Sequence, residues 1–188
     1  MPTPERTSKR PTPDELEAAR GGSVPDLIAR DLRVLFCGIN PSLYSVAVRH
    51  HFARPGNRFW RTLHGAGFSK RLLRPDEEDE LLRSGVGITN VVARGTARAD
   101  ELRLEEYGQG ALLLARKVKR YQPRFVAFLG VQAYRLAAEQ PLARIGAQPS
   151  PFAGKPAWVL PNPSGLNAHY QLDGLVREYS KLARAAGF

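Results

Sequence analysis

The segment GINPSLYSVAVRHHFARPGNRFWRTL, which begins at Gly38, gathers side chains able to hold a ligand. It carries Asn40, Phe52, two adjacent histidines and several arginines, and it follows the apolar run 34–37. A structural connection needs only a few turn residues, whereas polar, aromatic and backbone-restricting residues between strand and helix belong to binding loops. A second loop, Pro161-Asn162-Pro163-Ser164-Gly165-Leu166, repeats the Asn-Pro pair. Each proline biases the residue before it towards extended geometry and fixes the turn after it, so both asparagines can point rigidly into one cleft. An amide offers a donor and an acceptor but no titratable proton. The chemistry available to such a pair is orientation and polarisation.

The elements that must position these loops are legible. Apolar runs at 34–37, 86–92, 125–129 and 158–160 are short and largely unalternating, as in a parallel sheet covered on both faces. Helical patterns fill the spaces between them. Thr12-Pro13-Asp14-Glu15 forms a capping box that opens a short helix, with Gly21 as its stop. Phe59, Trp60 and Leu63 make a helix face, and Pro75 opens an acidic segment that ends at Gly85. Leu104, Tyr107, Ala111, Leu114, Val118 and Tyr121 trace one stripe of a long helix, whose Arg116, Lys117, Lys119 and Arg120 read as a solvated face. Two more helices fall near 132–139 and 174–186. The alternating order predicts an α/β fold, a three-layer α/β/α sandwich around a mainly parallel sheet of four to five strands. Residues 1–25 are expected to form a basic tail and short helix, and 26–188 a single domain.

Composition narrows the partner. Among 188 residues, Lys and Arg number 28 against 18 Asp and Glu, and this formal charge of +10 favours a polyanion, with nucleic acid ahead of a membrane surface. No apolar stretch reaches transmembrane length. The single cysteine, Cys37, sits in the first apolar run as a small filler, which excludes disulfides. With no secretory signal at the N-terminus, a cytoplasmic setting is expected. The spacing of His50, His51, His64 and His169 fits no zinc site, so no metal is expected, and both His50 and His51 are placed on the ligand-facing side of their loop.

Three motifs now stand in order at successive strand ends: Gly38-Ile39-Asn40-Pro41, the stretch Phe52 to Trp60, and Asn162-Pro163-Ser164-Gly165-Leu166. Together they resemble the mismatch-specific uracil/thymine DNA glycosylases, the Mug branch of the uracil-DNA glycosylase superfamily, over about residues 33 to 185. The resemblance implies a monomeric, cofactor-free enzyme that swings uracil out of duplex DNA and cuts its N-glycosidic bond. It makes Asn40 the water-positioning residue and Phe52 the ring stacked on the flipped base. Gly38, Ile39, Pro41, Ser42 and Asn162 would line the base pocket, with backbone N–H groups of Ile39 and Phe52 stabilising the departing anion. Leu166 would be the wedge that fills the vacated stack, carried by Ser164 and Gly165, with Asn167 and His169 beside the DNA.

Three departures from the family pattern matter. Ala93 stands where relatives carry Asp or Glu, and a methyl group can neither activate water nor orient an amide, so either the branch works without the acid or the chain is an inactivated form. Ser42 replaces a glycine at the pocket mouth. Ala168 replaces an arginine two residues beyond the wedge, which predicts weaker dependence on the opposing base, with His169 a partial substitute. Two function classes stay open: a glycosylase, and a non-catalytic binder of mismatched or damaged DNA. A Rossmann-like nucleotide enzyme is disfavoured, because no glycine-rich phosphate loop follows the first strand.

Overall fold

A computed structural model describes residues 10–188. The expected tail therefore lies largely outside the described residues. Five strands, β1 (Val34–Gly38), β2 (Val86–Asn90), β3 (Phe125–Leu129), β4 (Gly146–Ala147) and β5 (Ala157–Leu160), form one sheet in the order β2-β1-β3-β5-β4. All pairings are parallel except that of β4 with β5. β1 and β2 are buried along their whole length, which is why neither sequence alternates, although β2 closes on the polar pair Thr89 and Asn90.

Seven helices complete the layers: α1 (Pro13–Ala18), α2 (Leu43–Val48), α3 (Phe59–Gly65), α4 (Glu80–Arg83), α5 (Leu104–Tyr121), α6 (Val131–Ala137) and α7 (Leu172–Ala185). One face of the sheet is covered by α3, α4 and α7, where Phe36 meets Phe59 and Phe68 edge-on and stacks on Tyr179. The other is covered by α5 and α6, where Phe128 packs between Tyr134 and Phe152. This is the three-layer sandwich that the alternating pattern predicts. The register pairs Gly38 with Asn90 and Leu129 with Leu160, so the parallel strands end nearly level and their following loops leave from one edge.

Local rules account for most boundaries. Thr12 caps α1, its hydroxyl accepting from Glu15 N–H at 3.2 Å while its own N–H donates to the Glu15 carboxylate at 2.7 Å. Beyond α1, Gly21 N–H donates to Gly95 O at 3.1 Å and Gly95 N–H to Gly22 O at 2.7 Å, which ties this N-terminal segment to the loop after β2.

Three expectations are corrected, and one short strand escapes the sequence pattern. The long connection after β1 is not wholly loop, because α2 starts at once: Ser42 caps it by accepting from Ser45 N–H at 3.2 Å. Its six residues are too few to show a periodic stripe. The second strand ends at Asn90, after which Val91 and Val92 still donate to Gly38 O and Ile39 O as the chain turns away. The stripe of α5 is Tyr107, Gly110, Leu114 and Val118, while Leu104 is exposed, since Gly110 lets the helix approach the Val91 carbonyl where any side chain would collide. Finally, β4 is two residues long and carries no pattern to read.

Candidate functional site

The level strand ends enclose a cavity of about 560 Å³, within the range of small-ligand sites. Gly38, Ile39, Asn40, Pro41, Ser42 and Phe52 line it from the loop after β1. Asn162, Ser164, Leu166, Asn167 and His169 line it from the loop after β5. The two Asn-Pro loops thus converge. Gly165 and Ala93 do not line the cavity, and Ala93 is exposed on the turn after β2.

Asn40 is held from one side. Its Nδ2 donates to Arg94 O at 2.9 Å and to Thr96 Oγ1 at 2.7 Å. A carbonyl can only accept, so this pairing fixes which end of the amide is nitrogen and leaves Oδ1 as the free acceptor. The loop that supplies these partners is itself anchored: Arg94 pairs with Glu106 at 2.7 Å, and that guanidinium, with the Arg103 N–H, holds the Glu106 carboxyl down at about 2.

Phe52 sits at a left-handed φ of 52°. One face of its ring stacks on Phe59 with centroids 4.0 Å apart, and the ring also borders the cavity. Its partly buried surroundings make it a wall with one side already packed, ready to receive a flat ring on the other. Gly38 is required here, because a Cβ would lie 2.5 Å from Asn90 Oδ1 and 3.3 Å from Phe52 Cζ. The Asn40 and Phe52 backbone N–H groups have no hydrogen-bond partner among the described residues, as an anion-stabilising role demands.

Asn90 is the residue that the sequence motifs do not flag. It is buried, ends β2, lines the cavity, and its side-chain amide makes no hydrogen bond to another described residue. Its amide opens on the cavity with donor and acceptor uncommitted, so it reads as a ligand contact. The available signal was a polar residue closing an otherwise apolar strand.

His51 lines the cavity but has almost no exposed surface. It is buried rather than outward-facing: its N–H donates to Glu78 at 2.9 Å, its Nε2 bonds Pro25 O at 2.9 Å, and its carbonyl accepts from Trp60 Nε1 at 3.2 Å. Burial holds its imidazole below the ordinary value, against the pull of Glu78. His51 thereby pins the residue next to Phe52. His50 is partly exposed with Nδ1 3.2 Å from Glu78, and His64 is exposed on α3.

The loop after β5 is organised by its own side chains. Asn162 Oδ1 accepts from Ser164 N–H at 2.9 Å, which leaves its Nδ2 as the end available to the cavity. Asn167 Nδ2 donates to Asn162 O at 2.9 Å, and Ser164 Oγ accepts from Leu166 N–H at 3.3 Å. Leu166, 72% exposed, projects from this frame at the border of the cavity. Gly165 cannot carry a side chain, since its Cβ would lie 2.7 Å from Gly56 O.

The wall therefore offers an aromatic face, six side-chain amides and unpaired N–H groups; Arg54, Arg98 and His169 stand at its borders, and no carboxylate is among its lining residues. Such a site suits a flat, neutral heterocycle attached to a polyanion. It lacks any acid able to remove a proton from water.

Comparison with known proteins agrees with this geometry. The fold matches the solution NMR structure of a "putative Uracil DNA glycosylase from Methanosarcina acetivorans" with a TM-score of 0.60 at 20% identity, covering 86% of this chain and 98% of that one. The model of the uracil DNA glycosylase superfamily matches residues 25–183, which span the sheet, both Asn-Pro loops and the cavity between them. The chain belongs to the uracil DNA glycosylase superfamily.

Proposed function

We propose that the chain acts on duplex DNA as a member of the Mug branch, flipping uracil into the cavity and hydrolysing its N-glycosidic bond to leave an abasic site. The observation that carries this reading is the convergence of Asn40, Phe52, Asn90 and Asn162 on one cavity roomy enough for a pyrimidine nucleotide, with Leu166 at its border. Thymine and other damaged or mismatched pyrimidines are further candidates. Duplex DNA is the partner, bound by a monomer without cofactor or metal, and the compartment is cytoplasmic.

In the reaction, the bond between the sugar carbon C1′ and the base nitrogen N1 breaks, and its electron pair leaves on the base. A water oxygen adds to C1′ and its proton passes to solvent. Phe52 holds the base ring, while Asn162 Nδ2 and the Asn40 and Phe52 N–H groups supply donors for the departing anion. Asn40 Oδ1 accepts a hydrogen bond from the water and orients it, but an amide removes no proton, so turnover is slow. Leu166 enters the stack that the base vacates, at a cost of a few kcal/mol for unstacking. Exposed Ala168 contributes nothing to the opposing base beyond its backbone, and this predicts weak dependence on that base.

A second reading, a binder of damaged DNA without chemistry, is favoured by one observation: no carboxylate lines the cavity. Ala93 is exposed and outside the cavity lining, but it immediately precedes Arg94, whose carbonyl holds the Asn40 amide, and an acid there is the change that the family resemblance singles out. Cleavage of a uracil-containing duplex, scored as alkali-labile strand breaks, separates the readings. Slow breaks with the chain as it stands are expected for the proposed hydrolysis, whereas breaks with the Ala93→Asp form alone would mark an inactivated glycosylase. Uracil-selective binding with no breaks in either form would establish the binder instead.

A further inference from the structure

Arg58, at the N-terminal cap of α3, spends its whole guanidinium on the loop after β5. Nε donates to Pro163 O at 3.4 Å, Nη2 to Asn167 O at 3.1 Å and to Ser164 O, and Nη1 to Tyr170 O. Its backbone N–H adds a bond to Pro163 O at 3.0 Å. Every acceptor is a main-chain carbonyl, so one planar cation gathers the carbonyls of residues 163, 164, 167 and 170 around itself. These residues flank Leu166 on both sides. The same loop touches the residue 52–58 segment a second time, where Gly165 backs onto the Gly56 carbonyl.

We propose that Arg58 is a positioning residue that presets the Leu166 wedge and couples it rigidly to the Phe52 wall. A loop of this length would lose conformational entropy on entering a base stack. Gathering four carbonyls in the free protein removes much of that cost before DNA arrives. Four contacts from one fixed fork are needed, and a lysine, with one compact ammonium, cannot span the same carbonyls. The inference rests on the flipping reading above, because a wedge has meaning only where a base leaves the stack.

The test compares three oligonucleotides: a duplex with uracil beside 2-aminopurine, the undamaged duplex, and the uracil-containing single strand. Binding affinity and the 2-aminopurine brightening that accompanies base extrusion are read for the unaltered chain, Arg58→Met, Arg58→Lys, Leu166→Ala and the Arg58→Met/Leu166→Ala pair. Arg58→Met is expected to lower the ratio of duplex to single-strand affinity about tenfold, the size of one or two lost charge-assisted bonds, and to dim the brightening. Arg58→Lys should fall between, and the double variant should be no worse than the poorer single one, since both act through the same loop. Equal losses on duplex and single strand, additive losses in the double variant, or no loss at all would each overturn the role. Should the unaltered chain fail to prefer the uracil duplex over the undamaged one, the flipping reading falls and this inference with it; a preference that survives in Arg58→Met sinks this inference alone.

Discussion

The amide nitrogen of Asn40 lies 2.7 Å from the hydroxyl oxygen of Thr96, and that hydroxyl donates in turn to Arg98 O at 2.7 Å. The order of donors along this chain is forced. With its proton committed to a carbonyl, Thr96 Oγ1 can only accept from Asn40, so the Asn40 carbonyl oxygen is kept free for a water. Thr96 is buried, and its N–H also bonds Pro41 O at 3.2 Å, which closes the loop on both sides of the asparagine.

Replacing Thr96 with Val keeps the shape and removes the acceptor. Asn40 then retains only Arg94 O, and its amide has freedom to turn. Single-turnover excision by the Ala93→Asp form is expected to slow about tenfold on this change, roughly one neutral hydrogen bond of orientation, while Thr96→Ser keeps most of the rate. Duplex affinity should move little in comparison, since the pair orients water and not the base.

Asn90 leads to a prediction about selection. Asn90 is buried at the end of β2 beside Gly38 and Phe52, and its amide opens on the cavity without a partner among the described residues. Asn90→Leu preserves volume and abolishes both donor and acceptor. A site built to bond a polar edge discriminates strongly against what cannot bond it, so the preference for the uracil duplex over the undamaged one is expected to fall about tenfold or more. Gly38→Ala should weaken binding through the same group, because the new methyl drives into Asn90 Oδ1. Competition binding with the two duplexes measures both.

The contrast between Asn40 and Asn90 explains what was legible in the sequence. Asn40 and Asn162 announce themselves because a proline follows each, and proline leaves a mark on local geometry that can be read without the fold. Unbroken apolar strands likewise required covering on both faces, and from that the three layers follow. Asn90 bears no such mark, since its role depends on a register that sets it level with Gly38. The burial of His51 was illegible for the same reason: a histidine in a polar loop reads as surface, and only the packing of Trp60, Glu78 and Pro25 around it shows that it is enclosed at the cavity wall. Arg58 is one of 28 cations in the sequence, and nothing local distinguishes it from the rest.

Buried His51 carries a pH signature. Desolvation lowers its folded-state value below the ordinary 6.5, while Glu78, the Pro25 carbonyl and Asp26 oppose that effect only in part. The unfolded chain therefore takes up a proton before the folded one does. Its contribution to stability is complete above pH 6.5 and is lost as pH falls from there through the folded value. The melting temperature is expected to drop between pH 7 and 5, above the range where most carboxylates titrate, and the drop should be smaller in His51→Gln. A slope of equal size in the variant would place the titration elsewhere.

Two glycines of α5 provide a matched test of how this helix is seated. Gly108 has open space around its would-be Cβ, so Gly108→Ala simply improves helix propensity and should stabilise the protein by about 0.5–1 kcal/mol. At Gly110 the same methyl would lie 2.1 Å from the Val91 carbonyl oxygen, which is backbone and cannot swing aside. The helix must then lift from the sheet, at a cost of roughly 1–3 kcal/mol for overpacking. Lifting also disturbs the turn that follows Val91 and carries Arg94 to its contact with Asn40, so Gly110→Ala should lose excision rate in the Ala93→Asp background as well as thermal stability. Chemical denaturation of both variants, with excision measured well below the melting transition, tests the seating and its link to the site together.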